Sequence, residues 1–177
     1  METTIRPVRV EDAAQIYAIQ LHPEVLPYIM PLPSLRLQDL EKRLGDLGRD
    51  MHYFVAEADG EVAGYAFLRR MDGRKAHCGY VALSVHPRWQ RQGIGTALIR
   101  RLIELADDWL MLERVELVVL ATNPGAQRLY ERLGFTVEGR QRGANVSQGE
   151  MVDEILMARL RPGGLLARGA LRQNMVD

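Results

Sequence analysis

The sequence predicts one mixed α/β domain, in which a mostly antiparallel sheet of about seven strands is flanked by four helices. Three observations support this fold class. Apolar residues recur about every two residues in some segments, which indicates strands, and about every 3.6 residues in others, which indicates helices. The predicted order of elements is β α α β β β α β α β β. The dipeptide Asp59-Gly60 supplies the positive φ angles of a tight hairpin between two β-rich runs. With 177 residues, of which 47% are hydrophobic, the chain is long enough to bury one core.

The first 50 residues are predicted to contain an edge strand, two helices and a stiff connection. Residues 4–10 form the strand, and Pro7 favours an edge because proline cannot donate to a ladder. A helix begins at Glu11, where two acidic residues suit the positive end of the helix dipole. Four prolines stiffen residues 22–33, which we call the proline wall. Ser34 then caps the second helix. The apolar face of this helix is a row of leucines, Leu37, Leu40, Leu44 and Leu47.

Beyond residue 50 the predicted strands are interrupted by two more helices. The strands lie at 52–58, 61–69, 76–85, 114–120, near 135–140 and near 151–159, and the helices at 96–110 and 124–133. The strand at 76–85 is small and apolar along most of its length, which is typical of a strand buried on both faces. We expect the domain to span residues 1–160, and residues 161–177 to form a loosely attached C-terminal tail.

Charge and cysteine content exclude several classes of protein. Lysine plus arginine and aspartate plus glutamate each number 23, so the chain has no net positive field to hold a nucleic acid. The single cysteine, Cys78, excludes an intramolecular disulfide framework, which fits a reducing, cytoplasmic setting. No run approaches about 18 apolar residues, so a membrane span is not predicted, and secretion is not predicted because the charged residues 1–10 lack the apolar core of a signal peptide. The histidines are scattered without metal-ligand spacing, so no metal is predicted.

The stretch from Leu83 to Thr96 passes from a buried strand through a glycine-rich loop into a helix. Gly93 and Gly95 let a ligand approach the backbone, and the first amides of the helix lack intrahelical partners. With the helix dipole, these amides form an anion site for a cofactor that carries a pyrophosphate. A tight αβ connection without a ligand is the alternative. The stretch contains neither GxxxxGK[ST] nor GxGxxG, which disfavours nucleoside triphosphates and dinucleotides. The predicted cofactor contacts here are Leu83, Ser84, Val85, Gln90, Arg91, Gln92, Gly93, Ile94, Gly95 and Thr96.

Two motifs resemble those of the GNAT acetyltransferases. The first resembles their motif A and reads Leu83-x-Val85-x-Pro87 followed by Gln90-x-x-Gly93-x-Gly95. The second resembles their motif B and reads Asn123-x-x-Ala126-x-x-Leu129-Tyr130-x-x-x-Gly134-Phe135. The resemblance extends over residues 4–160. It implies that acetyl-CoA binds in a cleft where two neighbouring parallel strands splay apart, and that its pantetheine pairs with the first of them.

The resemblance also implies roles for individual residues. Tyr130 is the general acid that protonates the departing thiolate, and Asn123 contacts the pantetheine, with Ala126 in the same cofactor site. The Val85 N–H, freed by a bulge in its strand, polarises the thioester carbonyl. Spacing alone places Ala126 and Tyr130 on one helix face, near the end capped by Asn123. A core tyrosine is the alternative explanation of Tyr130.

A general base is not evident in the sequence. Many GNAT relatives place a glutamate on the first splayed strand, whereas residues 76–85 contain no carboxylate. Glu24 in the proline wall is the first candidate, and His77 and Tyr80 acting through water are others, although each is also explained as a solvated or structural residue. Solvent is then expected to supply the neutral amine, so that activity rises with pH towards the amine pKa. Cys78, in an apolar strand, is expected to be inert, which favours direct transfer.

Several segments resemble bacterial L-amino acid N-acetyltransferases that accept methionine or phenylalanine. They are His22-Pro23-Glu24-Val25, Asp108-Trp109-Leu110, residues 114–117 and residues 149–159. The predicted acceptor is therefore a small-molecule amine, namely the α-amine of an amino acid or of an amino-acid-like compound. The alternatives are a protein N-terminus, a polyamine or an antibiotic amine as acceptor, and a non-catalytic acyl-CoA-binding sensor. Apolar residues within 151–177 predict a homodimer that uses this end of the chain.

Overall fold

A computed structural model describes residues 3–166 and 168, and within them the predicted order of elements is confirmed. Seven strands of this part of the chain form one sheet in the order β1-β2-β3-β4-β5-β7-β6. The strands are β1 (Thr3–Pro7), β2 (Met51–Ala58), β3 (Glu61–Arg70), β4 (Cys78–Val85), β5 (Arg114–Leu120), β6 (Thr136–Ser147) and β7 (Glu150–Leu160). The α-helices are α1 (Ala13–Gln20), α2 (Leu37–Gly45), α3 (Ile94–Glu104) and α4 (Pro124–Arg132). β4 and β5 run parallel, whereas the other neighbouring strands are antiparallel.

Side-chain alternation along the strands gives the sheet two covered faces. On the face that we call the α3 face, α3 and α4 pack on a core that includes Val81, Leu117 and Met157. On the opposite face, the α1 face, α1 and α2 pack on a second core that includes Val55 and Tyr65. Each strand of the sheet centre therefore presents alternate residues to two different environments.

The two central strands β4 and β5 pair only where they begin. Cys78–Tyr80 lies beside Arg114–Glu116 in parallel register. Beyond these residues β4 stays paired with β3 and β5 stays paired with β7. The strands therefore separate, which confirms the splayed pair, and a cleft opens between their carboxyl ends, where ligands of such sheets commonly bind.

The predicted cap of α2 is wrong. The helix begins at Leu37 with Arg36 as its N-cap, and no side chain caps it. Ser34 instead belongs to a turn in which the Leu35 N–H donates to the Leu32 carbonyl at 3.0 Å. Because Ser34 is taken up by this turn, it lies two residues before the N-cap, where its side chain does not cap the helix.

The helix predicted at 96–110 begins earlier and ends irregularly. α3 starts at Ile94, and Leu105–Trp109 forms a π turn after its last α-helical residue. A π turn takes more residues per revolution, so side chains beyond it leave the 3.6-residue stripe. Trp109, the last residue of this turn, is consequently 75% exposed although the predicted helix extended to residue 110.

β6 is longer than predicted, since it continues to Ser147 rather than ending near residue 140. It is the edge strand beside β7, it has register shifts at Val137/Gly139 and Gln141/Asn145, and most of it is exposed. A polar, glycine-containing edge strand with bulges lacks the alternation by which strands are recognised in a sequence. Its far end reaches the proline wall, where the Ser147 hydroxyl donates to the Pro27 carbonyl at 2.9 Å.

The segment after β7 is attached to the domain where it begins. Arg161 forms an ion pair with Glu113, and the Leu166 N–H donates to the same carboxylate at 3.3 Å. Most of the predicted tail beyond residue 166 lies outside the described residues, and the boundary at residue 160 stays a prediction. No helix in the described part of the chain is long and apolar enough to cross a membrane.

Candidate active site

The separation of β4 and β5 opens into a cleft of about 1670 Å³ that is lined from both faces of the sheet. Its walls come from α3 and α4 on one side and from the proline wall, α1 and α2 on the other. Sites for one small molecule usually measure roughly 300–1000 Å³. The cleft is therefore large enough to hold an elongated ligand and a second, smaller one.

The free edge of β4 turns backbone groups into the cleft. The His86 N–H donates to the Ala63 carbonyl at 2.9 Å, which fixes the alternation of the β3–β4 ladder. Because antiparallel pairs alternate between bonded and non-bonded, the N–H and C=O groups of Leu83 and Val85 point away from β3. The Val85 carbonyl accepts from Gln90 Nε2 at 3.1 Å. The Leu83 groups and the Val85 N–H remain directed towards an extended ligand.

The bulge expected in β4 lies in a neighbouring strand instead. The β3–β4 register is continuous up to the pair Gly64 and Val85. The shift occurs between β2 and β3, where Ala63 is the extra residue of β3. Gly64 allows the close contact that follows, since a Cβ there would lie 2.8 Å from the Ser84 carbonyl oxygen. The Val85 N–H is thus turned into the cleft by ladder alternation and not by a bulge in its own strand.

The N-terminus of α3 faces the same cleft. Gly93 is the N-cap, with a φ angle of +86°, and a Cβ added to it would meet no atom within 4 Å. The first intrahelical bond runs from the Ala97 N–H to the Gly93 carbonyl at 3.0 Å. The N–H groups of Ile94, Gly95 and Thr96 therefore have no partner within the helix. The expected anion-binding geometry is present at this end of the cleft.

Most of the predicted cofactor residues line the cleft, namely Leu83, Ser84, Val85, Gln90, Arg91, Gly93, Gly95, Thr96, Asn123, Ala126 and Tyr130. The side chains of the other two are turned away. Ile94 is buried in the core of the α3 face, and Gln92 Nε2 donates to the Arg88 carbonyl at 2.9 Å. Ser84 lies on the α1 face, directly opposite Tyr65 in the β3–β4 register. It belongs to the opposite half of the cleft from the α3 N-terminus.

Helix α4 brings Asn123 and Tyr130 to the cleft. Asn123 is the N-cap, and its Oδ1 accepts from the Ala126 N–H at 3.1 Å, as predicted. The Tyr130 ring packs edge-on against Phe135, with ring centroids 5.7 Å apart. Burial, and secondarily the neighbouring Tyr80, raise the pKa of the Tyr130 phenol above its ordinary value. The phenol stays protonated at neutral pH and can donate a proton within the cleft.

The half of the cleft under α1 and α2 is aromatic. Tyr53, Tyr65 and Phe67 stack along β2 and β3, with neighbouring ring centroids 5.5 and 5.7 Å apart. Gln20 of α1 donates to the Tyr65 hydroxyl at 3.0 Å, while its Oε1 is buried without a partner in the described residues. A buried acceptor of this kind favours a ligand that brings a donor. We call this half the acceptor side.

Three charged residues of the acceptor side share the cleft. Glu24 lies on the proline wall, Arg43 projects from α2, and Glu154 stands on β7. Glu24 was predicted, whereas sequence analysis missed Arg43 and Glu154. For Glu154 a signal existed, because Asp153 and Glu154 put two carboxylates into an otherwise mostly apolar strand. Its connection to the site becomes apparent only when β7 pairs with β5.

The remaining base and nucleophile candidates differ in position. Tyr80 lines the cleft, whereas His77 precedes β4 at the end remote from it and is exposed. Cys78 is buried, and desolvation raises the pKa of its thiol, which disfavours the nucleophilic thiolate. Within residues 3–166 and 168, no three His, Cys, Asp or Glu side chains converge to hold a metal ion.

The sequence of residues 13–135 matches the family model described as the Acetyltransferase (GNAT) family. This stretch contains the β4–α3 loop, the splayed strands and α4. The chain therefore belongs to the GNAT acetyltransferase family. GNAT enzymes transfer an acetyl group from acetyl-CoA to an amine.

Comparison with individual GNAT proteins gives similarity along most of the chain. The L-amino acid N-acetyltransferase AaaT of Escherichia coli is 32% identical over 161 residues, which are 90% of this chain and 99% of that protein. An N-alpha-acetyltransferase of Sulfurisphaera tokodaii is 32% identical over 76% of this chain and 80% of its own. Spermidine N-acetyltransferase from Vibrio cholerae, solved with CoA and spermine, has a TM-score of 0.80 at 24% identity and covers 90% of this chain and 96% of its own. The last similarity supports the fold alone.

Proposed function

We propose that this GNAT protein is a cytoplasmic enzyme that acetylates the α-amine of a free amino acid, with acetyl-CoA as the donor. The observation that carries the proposal is the composition of the acceptor side, where one guanidinium, Arg43, stands among aromatic and apolar walls. The similarity to an L-amino acid N-acetyltransferase over 90% of the chain supports the same acceptor.

The cofactor half of the cleft fits acetyl-CoA. The free amides at the start of α3 would receive the pyrophosphate, and Arg91 and Arg128, which line the cleft nearby, add positive charge. The Leu83 N–H and C=O would pair with the amide groups of the pantetheine as an added strand does. Asn123 Oδ1 accepts the hydrogen bond that caps α4. Only the Nδ2 group of this side chain is therefore left to donate to the pantetheine.

The reacting thioester would then lie between β4 and α4. The Val85 N–H would stabilise the oxyanion that develops on the carbonyl oxygen. Tyr130, on the other side of the gap, would protonate the departing sulfur. Direct transfer with these two groups requires no covalent intermediate on Cys78.

The acceptor side would bind an amino acid through its α-carboxylate and its side chain. Arg43 offers a charged, bidentate donor to an α-carboxylate. The rings of Tyr53 and Phe67 and the proline-wall residues Val25 and Ile29 offer apolar surface to a side chain. Each methylene in such a pocket contributes only about 1–3 kcal/mol to discrimination, so related apolar amino acids should be accepted with graded preference.

A panel of acceptors tests the proposed function by measuring CoA release. Methionine and phenylalanine should be acetylated faster than lysine or spermidine, because burying a second ammonium among aromatic walls is costly. If spermidine or a peptide N-terminus is acetylated faster than every free amino acid, the amino acid is the wrong acceptor while the GNAT assignment stands. If CoA binds but no amine causes its release, the sensor function is supported instead.

Arg43→Gln is expected to raise KM for methionine roughly tenfold, the modest effect of one partly solvated charged contact. The same variant should leave KM unchanged for 3-(methylthio)propylamine, which is methionine without its carboxylate. Lys42→Gln is the matched control, since Lys42 is the exposed neighbour on α2 and does not line the cleft. An equal change for both acceptors would show that Arg43 does not bind the carboxylate.

A polyamine acceptor has one specific observation in its favour. Glu24 and Glu154 put two carboxylates in the same cleft, which a second ammonium group could contact. Named relatives include spermidine N(1)-acetyltransferase of Escherichia coli, 27% identical over 76% of this chain. The guanidinium of Arg43 opposes this acceptor, because it would repel a polycation.

We also propose a homodimer through the β6–β7 end of the chain. Among the apolar residues of 151–177, Ile155 is buried in the core and Leu171 lies outside the described residues, but Leu160, Leu165 and Leu166 are exposed. Val146 and Met151 are also exposed, at the turn of the β6–β7 hairpin, the opposite end of β7 from Leu160. Sedimentation at micromolar concentration should show a dimer, and Met151→Glu should shift it towards monomer. A monomer in the unmodified protein would contradict the proposal.

A further inference from the structure

We infer that Glu154 is the general base of the reaction, the carboxylate that binds the acceptor ammonium and removes its proton. This inference rests on the proposed function, since it concerns the same cleft. It replaces the expectation that solvent alone supplies the neutral amine, because the missing carboxylate of β4 is provided by β7.

The register of the sheet places Glu154 at the gap. Glu154 lies opposite Leu120 on β5, at the carboxyl end where β5 has left β4. Partners in a sheet share a face, and Leu120 alternates with Val119, which faces the α3 core. Glu154 therefore lies on the α1 face, the face of the acceptor side.

The surroundings hold this carboxylate in place and leave it able to bind a cation. Its Oε1 accepts from Asn145 Nδ2 of β6 at 3.0 Å. A carboxylate accepts several hydrogen bonds, so capacity remains for an ammonium group. β7 is paired on both sides, with β5 and β6, so the position of Glu154 is set by the sheet. Glu24, by contrast, is exposed on the proline wall, which makes it a less rigid base.

The charged and titratable groups around Glu154 come from several elements. Tyr80 of β4 lies across the gap, and burial together with the charge of Glu154 raises the pKa of its phenol. Glu116 of β5 is paired with Arg114 at 3.0 Å, and Arg69 of β3 lies over the Tyr80 ring. Glu24 and Arg43 are the remaining charges of the acceptor side. Of the two carboxylates that the sheet brings close to Tyr80, Glu116 is ion-paired. Glu154 forms no ion pair within the described residues, and its Oε1 accepts only from Asn145.

The proton balance assigns each group one task. The ammonium R–NH₃⁺ gives one proton to the Glu154 carboxylate, and the nitrogen lone pair forms the bond to the thioester carbon. The carbon–sulfur bond breaks, the sulfur takes the Tyr130 proton, and the tyrosine regains a proton from the substituted nitrogen. The amide and CoA are released, and Glu154 returns its proton to water. The sum is one amine acetylated and one proton released.

Glu154→Gln tests this role through the pH dependence of kcat/KM. In the wild-type enzyme the rate below the amine pKa should be nearly independent of pH, because Glu154 deprotonates the bound ammonium. In the variant, kcat/KM at neutral pH should fall roughly 10²-fold, the usual contribution of a general base. It should then rise about tenfold per pH unit, because only the neutral amine reacts. Affinity for CoA should be unchanged by calorimetry.

Two further variants make the outcome decisive. Glu150→Gln removes the same charge from an exposed position of β7 outside the cleft and should keep the wild-type profile. Glu24→Gln tests the rival base. If Glu154→Gln keeps the wild-type pH dependence of kcat/KM while kcat/KM of Glu24→Gln rises about tenfold per pH unit, Glu154 is not the base. If the wild-type enzyme releases no CoA with any amine, the proposed function itself fails.

Discussion

Gly93→Val is expected to abolish binding of CoA. Gly93 has a φ angle of +86°, where a β-branched residue is strongly disfavoured, and its open side faces the cleft. A valine would both distort the turn that presents the α3 amides and fill the space in which a pyrophosphate is expected. Calorimetry should detect no binding at concentrations that saturate the wild-type protein.

The control for this substitution is Gly60→Val. Gly60 has a φ angle of +80° and also open space around it, but it lies in the β2–β3 turn, away from the cleft. Both variants should lose similar stability from the same backbone strain, and only Gly93→Val should lose CoA. If Gly93→Val is too unstable to measure, Gly93→Ala imposes less strain and should still weaken binding. A folded Gly93 variant with wild-type affinity for CoA would show that the N-terminus of α3 does not bind the pyrophosphate.

Tyr130→Phe is expected to lower kcat roughly 10²-fold while affinity for CoA stays within about twofold. The substitution keeps the ring and its edge-on contact with Phe135, and it removes only the hydroxyl that protonates the sulfur. Release of CoA must be measured where chemistry limits the rate. Because burial raises the Tyr130 pKa, the wild-type enzyme should keep its activity through the pH range in which an ordinary tyrosine begins to ionise.

Tyr17→Phe is the matched control for Tyr130→Phe. Tyr17 is a half-buried tyrosine of α1 that does not line the cleft, so its hydroxyl should not affect kcat. Unchanged turnover in Tyr130→Phe would assign Tyr130 to packing in the α3-face core.

The cofactor half of the cleft was predictable because its residues are close together in the sequence. Gly93, the free amides of α3 and the Asn123 cap are properties of a loop and two helix ends, and local chemistry determines them. The bounds of β5 agree with the prediction for a similar reason, since a short apolar run is flanked by polar residues. Here local preference and tertiary structure require the same conformation.

The acceptor half was less predictable because its residues meet through register. Arg43, Tyr65 and Glu154 come from α2, β3 and β7, and their shared position depends on which strands pair and in which alignment. A shift of one residue in β7 would turn Glu154 to the other face. No local pattern marks this register in the sequence, so Glu154, on a strand remote from β4, was not among the predicted bases. The π turn that exposes Trp109 was unpredictable for another reason, because no residue type marks it.

The contact between the Ser147 hydroxyl and the Pro27 carbonyl joins the two outermost parts of the acceptor side, the β6–β7 hairpin and the proline wall. Asn145 of the same hairpin also reaches Met30 of the wall, with Nδ2 and Sδ 3.6 Å apart. Most of these residues lie outside both buried cores, whereas Tyr130 lies within one and the Val85 N–H is fixed by the sheet. Substitutions in the hairpin and the wall can therefore reshape the acceptor pocket at little cost in folding stability and without displacing the groups that act on the thioester. An evolving lineage could exchange one amine for another by altering these two surface segments, apart from Asn145 and Glu154 of the hairpin, and keep its chemistry intact.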